Sequence, residues 1–492
     1  MSTHQQDYHN FELPCQNAGF DAELAQPPRR TRRSGSCCFF GCCLGCLGFL
    51  VLIALACFAL WYCLVSGGAD LIVSEETTVI TEPLKSDGKT VDFFQAIQKM
   101  TEPAIPANEN GFRDVLLAFG RAVFGGGGDA EWQYSAVCEA LEIDPQLPPQ
   151  EIPPFDDNNL NLVQAAVAKQ HYFVPLVRRS EKDLAVMSQP YLTVSFHDKL
   201  LAALQESAEI RYDGNVAEAW KDTLASIRLF RFISINRMMV ELPFGDYQHE
   251  MLESHVSEVV TTLPKWTPEQ LKQAIKDLES LPNWQDRQTT QKMMQFMLLD
   301  LISSTNNWDV SLNFLADGES EELQAMLGML RFIAIDWNLV AKELNSEVRV
   351  FGKLMEKAEG KSLDEQFELL RLSETTEKLD EEDLQTLLED AILTTGDLPL
   401  FTSGRSKLAG VIAGKLVRTT AGKLCLHQFM EESRCQALRL ALALELYRQE
   451  HQEYPDALDK LGLQPMPVNM NFQYEKQDAG YRLQNKVFEL EI

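Results

Sequence analysis

The strongest constraint in this sequence is an uncharged, apolar segment at residues 37–66, CCFFGCCLGCLGFLVLIALACFALWYCLVS. About 20 consecutive apolar residues are enough for a helix to cross the hydrocarbon core of a bilayer. A buried core helix of this length normally contains a polar break, so the segment predicts a single transmembrane signal anchor. The residues predicted to hold the chain in the membrane, the last two within an interfacial aromatic belt, are Leu44, Leu50, Leu55, Trp61 and Tyr62.

The charges on either side of this segment predict its orientation. Asp70, Glu75 and Glu76 follow it, and four arginines precede it: Arg29, Arg30, Arg32 and Arg33. Basic flanks stay on the cytoplasmic side, so we expect an N-terminus in the cytoplasm and a body outside the inner membrane. Cleavage by signal peptidase and lipoprotein processing at Cys57 are the alternatives. The segment is longer than a typical signal-peptide core of about 7–15 residues, which favours a retained anchor.

The net charge limits the partners that the body can have. The chain carries 44 Lys and Arg against 72 Asp and Glu, a formal charge of −28. Residues 1–36 are balanced and residues 37–66 are uncharged, so the whole excess of acid lies in residues 67–492. Nucleic-acid binding needs a basic surface, and we therefore expect no nucleic-acid partner. The expected partners are the lipid bilayer, through residues 37–66, and a protein.

Composition and periodicity predict a mostly α fold with a single N-terminal transmembrane helix. A large helical extracytoplasmic domain follows, and a small antiparallel β-meander closes the chain (α+β). The predicted regions are a disordered cytoplasmic tail at 1–36, the anchor at 37–66, a strand and helix entry region with Gly- and Pro-rich linkers at 67–158, a helical body at 159–430, and a long helix plus β-meander at 431–492.

Within the body, apolar spacing predicts individual helices. Residues 197–211 and 216–236 each place apolar residues on one face and are joined by Asp213-Gly214, as in a helical hairpin. Thr267 followed by Pro268 is typical of a helix N-terminus. Further helices are predicted at 284–303, 319–345, 346–372 and 380–394.

β-structure is predicted at both ends of the body. The β-branched runs 71–73 and 77–81 indicate strands, and Asp87-Gly88 indicates a turn. Near the C-terminus, a buried helix at 431–450 is followed by three alternating apolar runs. These runs, which predict the meander, are Phe472/Tyr474, Tyr481/Leu483 and Phe488/Leu490/Ile492.

The cysteines do not form a disulfide framework. Seven of the 11 lie in residues 37–66, and the body contains only Cys138, Cys425 and Cys435, which we expect to be buried structural residues. The cluster between Cys37 and Cys46 has two interpretations, acylation or the close packing of small residues, and packing is favoured.

The best candidate for a metal site is His249-Glu250-Met251-Leu252-Glu253-Ser254-His255. It resembles the zinc-protease motif His-Glu-x-x-His, but position i+4 is Glu253, and His255 lies about 240° away on a helix. His249 and Glu253 could contact one ion, yet a third ligand is not identifiable. The sequence contains no recognisable catalytic motif, and we predict no catalytic residue and no cofactor.

A basic segment interrupts the acidic body between Gly404 and Lys423, where every charge is positive. Residues 410–416, GVIAGKL, lack one residue and a hydroxyl relative to a phosphate-binding loop. The favoured interpretation is an internal helix whose basic residues pair with neighbouring acids. Its small residues, Ala409, Gly410, Ala413 and Gly414, allow tight packing. A site for phosphate or another polyanion is the alternative.

Several short motifs are similar to those of uncharacterised membrane-anchored proteins of planctomycete bacteria, a family whose resemblance implies no particular activity. The last 60 residues also resemble the carboxyl half of pseudopilin-like modules, although the N-terminal methylation motif and the Gly/Asp-rich ending are missing. The motifs that carry the first resemblance are ITEPL at 80–84, DG at 87–88, VDF at 91–93, RYDG at 211–214, AWKD at 219–222, RL at 228–229, LAL at 442–444, YR at 447–448 and YPDAL at 454–458.

These observations lead to three functional hypotheses. The leading one is a non-enzymatic envelope protein whose acidic helical outer domain binds or scaffolds a protein. The second is an extracytoplasmic hydrolase, with or without a metal ion, whose site is assembled from distant residues. The third is an accessory component of a secretion or pseudopilus-like system, suggested by residues 431–492.

Overall fold

The computed structural model describes residues 69–125, 128–145, 155–181, 183, 193–236, 256–282, 287–303, 334–358, 361, 365–366, 369, 402–463, 472–477, 480–485 and 489–491. All of them belong to one unit, Trp61–Ile492. The predicted tail, the predicted anchor with its flanking arginines, and the candidate metal ligands His249 and Glu253 lie outside these residues. Among the helices of the described ranges, none combines the length and the hydrophobicity needed to span a bilayer.

The described residues are mostly helical, as predicted. Residues 256–262 form one helical segment. The other helices are α1 Phe93–Thr101, α2 Gly111–Phe119, α3 Gly128–Ala140, α4 Asp157–Val167, α5 Val194–Tyr212, α6 Val216–Asn236, α7 Pro268–Glu279, α8 Arg287–Ser303, α9 Trp337–Ala358 and α10 Thr402–His451. The strands are β1 Gln473–Lys476, β2 Tyr481–Gln484 and β3 Glu489–Glu491.

The C-terminal strands confirm the predicted meander. Their order is β1-β2-β3 with antiparallel pairing, in which Leu483 lies opposite both Tyr474 and Leu490. Tyr481 and Leu483 point into the protein and are almost fully buried, whereas the β1 residues are mostly exposed. The sheet therefore closes over the helical core with one face.

The hairpin of α5 and α6 is also confirmed. Its apolar faces pack against each other, and the turn at Asp213-Gly214 joins them. Polar pairs strengthen the closed end: the Arg211 guanidinium contacts Asp222 at 2.7 Å, and the Tyr212 hydroxyl bonds to Thr223 at 2.9 Å. Helix α7 begins where predicted, because Thr267 and Gln270 form a reciprocal capping box.

The strands predicted at 71–73 and 77–81 are wrong. This segment forms a loop with turns, in which the hydroxyl of Thr78 donates to the carbonyls of Ser74 at 2.9 Å and Ile80 at 2.7 Å. The Ser74 and Thr77 hydroxyls are also bonded to each other. Ser and Thr side chains compete with sheet pairing by satisfying the local backbone, and this outweighs the β-propensity of the run.

The predicted helix break between residues 345 and 346 is wrong as well. Helix α9 continues through this point, and Asn345 is a buried bridge rather than a helix terminus. Its side-chain amide donates to the carbonyls of Glu76 and Thr77, both at 2.9 Å, and its oxygen accepts from Gln295 at 2.8 Å. Asn345, in the middle of α9, thus connects the loop that contains Glu76 and Thr77 to α8 and α9.

The helix predicted at 431–450 is the last part of the much longer α10. This helix has 50 residues and passes through two hydrophobic cores. Its first part packs with α1, α8 and α9, and its second part packs with α5, α6, α7 and the sheet.

Two glycines of α10 lie in close contact with α9, as the internal-helix interpretation predicted. A Cβ atom at Gly410 would lie 2.5 Å from the Val340 carbonyl oxygen and 2.6 Å from Glu343 Cβ. One at Gly414 would clash with the side chain of Glu347. Residues 410–416 are helix interior, so the loop that a Walker-type phosphate site needs is not formed here.

We expect Gly410→Ala to destabilise the protein. The methyl group has no space against α9, and overpacking of this kind costs about 1–3 kcal/mol. Gly352→Ala in α9 is the matched control, because its nearest neighbour, Gln291, would lie at an ordinary 3.5 Å. The control should gain about 0.5–1 kcal/mol from helix propensity. Urea unfolding of the detergent-solubilised chain measures both; equal effects would contradict the packing role of Gly410.

Candidate functional site

Most of the site residues predicted from the sequence lie outside the residues that the structure describes. His249, Glu253, the anchor residues and the flanking arginines lie outside it, and no group of three or more potential metal ligands occurs in the part of the chain that it covers. The three body cysteines, Cys138, Cys425 and Cys435, are buried and not disulfide-bonded, as predicted for structural residues.

The described residues form a cleft of about 570 Å³ that sequence reasoning did not identify. It lies where the end of α1, the loop after α4, the middle of α6 and the segment after α7 meet. We call it the α4–α6 cleft. Its lining residues are Thr101, Pro103, Val167, Ala168, Lys169, Gln170, His171, Tyr172, Phe173, Arg228, Phe232, Ser280, Leu281 and Pro282.

One buried residue, Asn110, holds the loop that forms a wall of the cleft. Its side-chain amide donates to the Phe173 carbonyl at 2.8 Å, and its oxygen accepts from the amides of Phe173 and Phe112, each at 3.1 Å. The next residue, Gly111, donates its backbone N–H to the His171 carbonyl at 2.8 Å. The loop is thus fixed to the N-terminus of α2 by hydrogen bonds at two alternate residues.

Aromatic packing makes the base of the cleft rigid. The Tyr172 ring stacks on Phe232 with 5.6 Å between centroids, which joins the loop to α6. The Tyr172 hydroxyl is bonded to His197 Nε2 at 3.0 Å, and His197 is itself buried on α5. A ring held at both its face and its hydroxyl has little rotational freedom, so the cleft is largely pre-formed.

The charged side chains among the described lining residues are basic. Lys169 and Arg228 line the cleft, and the part of its lining that the structure describes contains no Asp or Glu. The Lys169 ammonium is already satisfied, since it contacts Asp114 at 2.6 Å and the Asn108 carbonyl at 2.8 Å. Such a lining contrasts with the rest of the body, whose acidic residues give the chain a net charge of −28.

Arg228 is the cation that is least compensated. Its guanidinium donates a long hydrogen bond of 3.4 Å to the Ser280 hydroxyl, and it forms no ion pair within the described ranges. Burial lowers the pKa of Arg228, and the negative charge of Asp277 partly opposes this change. The Asp277 carboxylate is bound elsewhere, by Trp220 Nε1 at 2.9 Å and Gln273 at 2.8 Å. Arginine remains charged under these conditions, so a partly desolvated cation lines the cleft.

The sequence contained only a weak signal for this site. Arg228 lies in the short motif RL at 228–229, but no residue near it in the sequence indicates a ligand. Its neighbours in the cleft come from residues near 101, 170 and 281, and separations of this size cannot be read from linear spacing.

A second unusual group, Glu258, lies outside the cleft. Its Oε2 atom is buried and has no hydrogen-bond partner among the residues that the structure describes. Burial, together with the charge of Glu209, raises the pKa of Glu258 from 4.5 to about 7. A carboxyl with such a pKa suits general acid–base chemistry. Glu258 does not line the α4–α6 cleft, however, so its geometry does not support a catalytic role there.

We expect Asn110→Ala to lower the free energy of unfolding by about 2–4 kcal/mol, because it leaves buried backbone groups of the cleft loop without partners. Asn108→Ala is the control, since Asn108 is exposed and its backbone carbonyl, which binds Lys169, is unaffected. Thermal unfolding of the solubilised chain provides the comparison. Similar melting temperatures for both variants would show that the Asn110 contacts are not needed.

We also expect Glu258→Gln to stabilise the protein at pH 8 but not at pH 4. The folded state binds the proton more tightly than the unfolded state, so wild-type stability falls as the pH rises from about 4.5 through 7. Glutamine mimics the neutral form and avoids this loss, which we put at about 1–2 kcal/mol after solvent screening. Urea titrations at both pH values test this. Glu206→Gln, on the exposed face of α5, should change stability by less than about 0.5 kcal/mol at either pH.

No protein-family model, curated protein or solved structure matches this chain. The resemblance carried by its short motifs therefore stays a prediction, and the proposals below rest on the cleft and on the charge pattern.

Proposed function

We propose that this chain is a single-pass membrane protein of the cell envelope whose helical body binds a partner protein. Residues 37–66 hold it in the inner membrane, with the arginine-rich tail in the cytoplasm and the body outside. The observation that carries the binding role is the α4–α6 cleft, a pre-formed, partly apolar cavity with a cationic lining in an acidic protein.

The contrast between the acidic body and the basic cleft supports the recognition of a specific partner rather than non-specific adhesion. An acidic body repels most acidic proteins and anionic lipid, and the basic residues of the cleft favour encounter with a negatively charged segment there. The partly exposed apolar residues Leu281 and Pro282 add surface that a bound segment can cover. Clefts that combine apolar walls with a few fixed polar groups are the usual form of a binding site.

The cleft geometry favours binding over hydrolysis. Ser280 is the serine among the described lining residues, and its hydroxyl donates to the Asp277 carbonyl at 2.8 Å rather than to a base. The alternative of a hydrolase with a site assembled from distant residues stays a prediction, and its candidate metal ligands His249 and Glu253 lie outside the described residues. The third hypothesis relied on residues 431–492. Tyr481 and Leu483 share a core with α5 and α6, which supports a structural role for this end.

The predicted orientation leads to a direct test in intact cells. Protease added to cells whose outer membrane has been opened should degrade the body, while an epitope at the N-terminus should survive as a short membrane-bound fragment. Replacing Arg29, Arg30, Arg32 and Arg33 by Glu should reduce the fraction of chains with this orientation. Protection of the body in the wild-type chain would contradict the proposed topology.

The binding role is tested with two alanines near the end of α4. Ala168 and Ala165 are both exposed, but only Ala168 lines the cleft. Ala168→Trp should block the cleft and abolish the capture of a protein from solubilised membranes of the native cell, whereas Ala165→Trp should preserve it. Capture that is equal for both variants, or absent for the wild type after cross-linking, would contradict the proposal.

A further inference from the structure

We propose that the α4–α6 cleft recognises a peptide segment of the partner by a carboxylate that binds Arg228, with an adjacent apolar side chain against Leu281 and Pro282. This inference rests on the proposed function and specifies the ligand chemistry of the same site. It goes further because it predicts which atoms of a partner are recognised and which residue of this chain makes the discrimination.

Arg228 is available to a ligand. Its hydrogen bond to Ser280 is long, at 3.4 Å, and occupies one nitrogen of a group that has five N–H donors. Asp277, whose charge acts on Arg228, already accepts from Trp220 and Gln273. A guanidinium in this position has donors left over, and a carboxylate matches its planar fork with two parallel hydrogen bonds.

The other cation among the described lining residues does not provide an equivalent site, because Lys169 is neutralised by Asp114 at 2.6 Å. A single uncompensated cation in the described part of the lining suits one carboxylate rather than a phosphate cluster or a polyanion, because multiply charged ligands need several cations.

The apolar part of the ligand contacts Leu281 and Pro282, which are partly exposed and line the same cleft as Arg228. The stacked rings of Tyr172 and Phe232 are only 3% and 5% exposed, so they support this part of the cleft rather than offer contact surface. A volume of about 570 Å³ is in the range of ordinary ligand sites and admits a few residues of extended peptide. Contact with these surfaces contributes affinity, while the ion pair in partly desolvated surroundings contributes selectivity.

The experiment uses the full chain in detergent and three fluorescent peptides based on the sequence Gly-Ser-Gly-Ala-Leu-Phe. Two are this hexapeptide, one with a free terminal carboxylate and one with a terminal amide. The third is a heptapeptide with an added C-terminal aspartate whose terminus is amidated. Fluorescence anisotropy should show that both carboxylate-bearing peptides bind about tenfold or more tightly than the amide. The relative affinity of the two shows whether a terminal or a side-chain carboxylate is preferred, and either preference supports the inference.

Substitutions at Arg228 test the discrimination. Arg228→Gln should remove the preference for the carboxylate and leave the weaker binding of the amide unchanged. Arg228→Lys should retain part of the preference, because the charge remains without the fork. Arg349→Gln is the control, since Arg349 is an exposed arginine of α9 outside the cleft. Circular dichroism of each variant establishes that the chain is folded.

The outcomes separate this inference from the proposed function. Equal binding of the amide and carboxylate peptides, or an unchanged preference in folded Arg228→Gln, overturns the inference even if Ala168→Trp still abolishes partner capture. If no partner protein is captured but the preference for the carboxylate peptides is retained, the proposed function is overturned. The cleft then binds a free carboxylate compound rather than a partner protein. Salt should weaken only the carboxylate component.

Discussion

The burial of helix α10 in two hydrophobic cores is the constraint on which the rest of the described body depends. Val417, Ala421 and Phe429 lie in the first core, and Leu438 and Leu442 lie in the second. A helix of 50 residues is about 75 Å long, so neither core alone could cover it. Both cores are therefore assembled along one rigid element. Of the helices that form the cleft, α1 lies in the first core, and α4, α6 and α7 lie in the second.

Charged residues are also buried along this helix, and each needs a specific partner. Arg439 contacts Glu279 at the end of α7, and Glu432 accepts from Arg231 of α6 at 3.0 Å. Because an unpaired buried charge is costly, such pairs favour one register of α10 against its neighbours. Burial also raises the pKa of the Cys435 thiol well above its usual value, which keeps this cysteine in the unreactive protonated form.

Local signals in the sequence were sufficient where the structure is local. The cap at Thr267, the α5–α6 hairpin and the C-terminal meander were all predicted, because capping, helical periodicity and strand alternation depend on neighbouring residues. Distant contacts decide the continuity of α9, since Asn345 is stable in mid-helix because it binds Glu76, Thr77 and Gln295. The wrong strands at 71–73 and 77–81 have a local cause, the hydrogen bonds of the Ser74, Thr77 and Thr78 side chains.

By itself, the sequence determined the helical character of the body, its small C-terminal sheet and its strongly acidic charge, since these follow from composition and short-range periodicity. Its apolar segment at 37–66 predicts an anchor on the same basis. Only the tertiary structure decided that Arg228 lies in a cleft with Tyr172, Phe232 and Leu281. The physical reason is that desolvation and unmatched charge depend on which residues surround a side chain, and those residues are far apart in the chain.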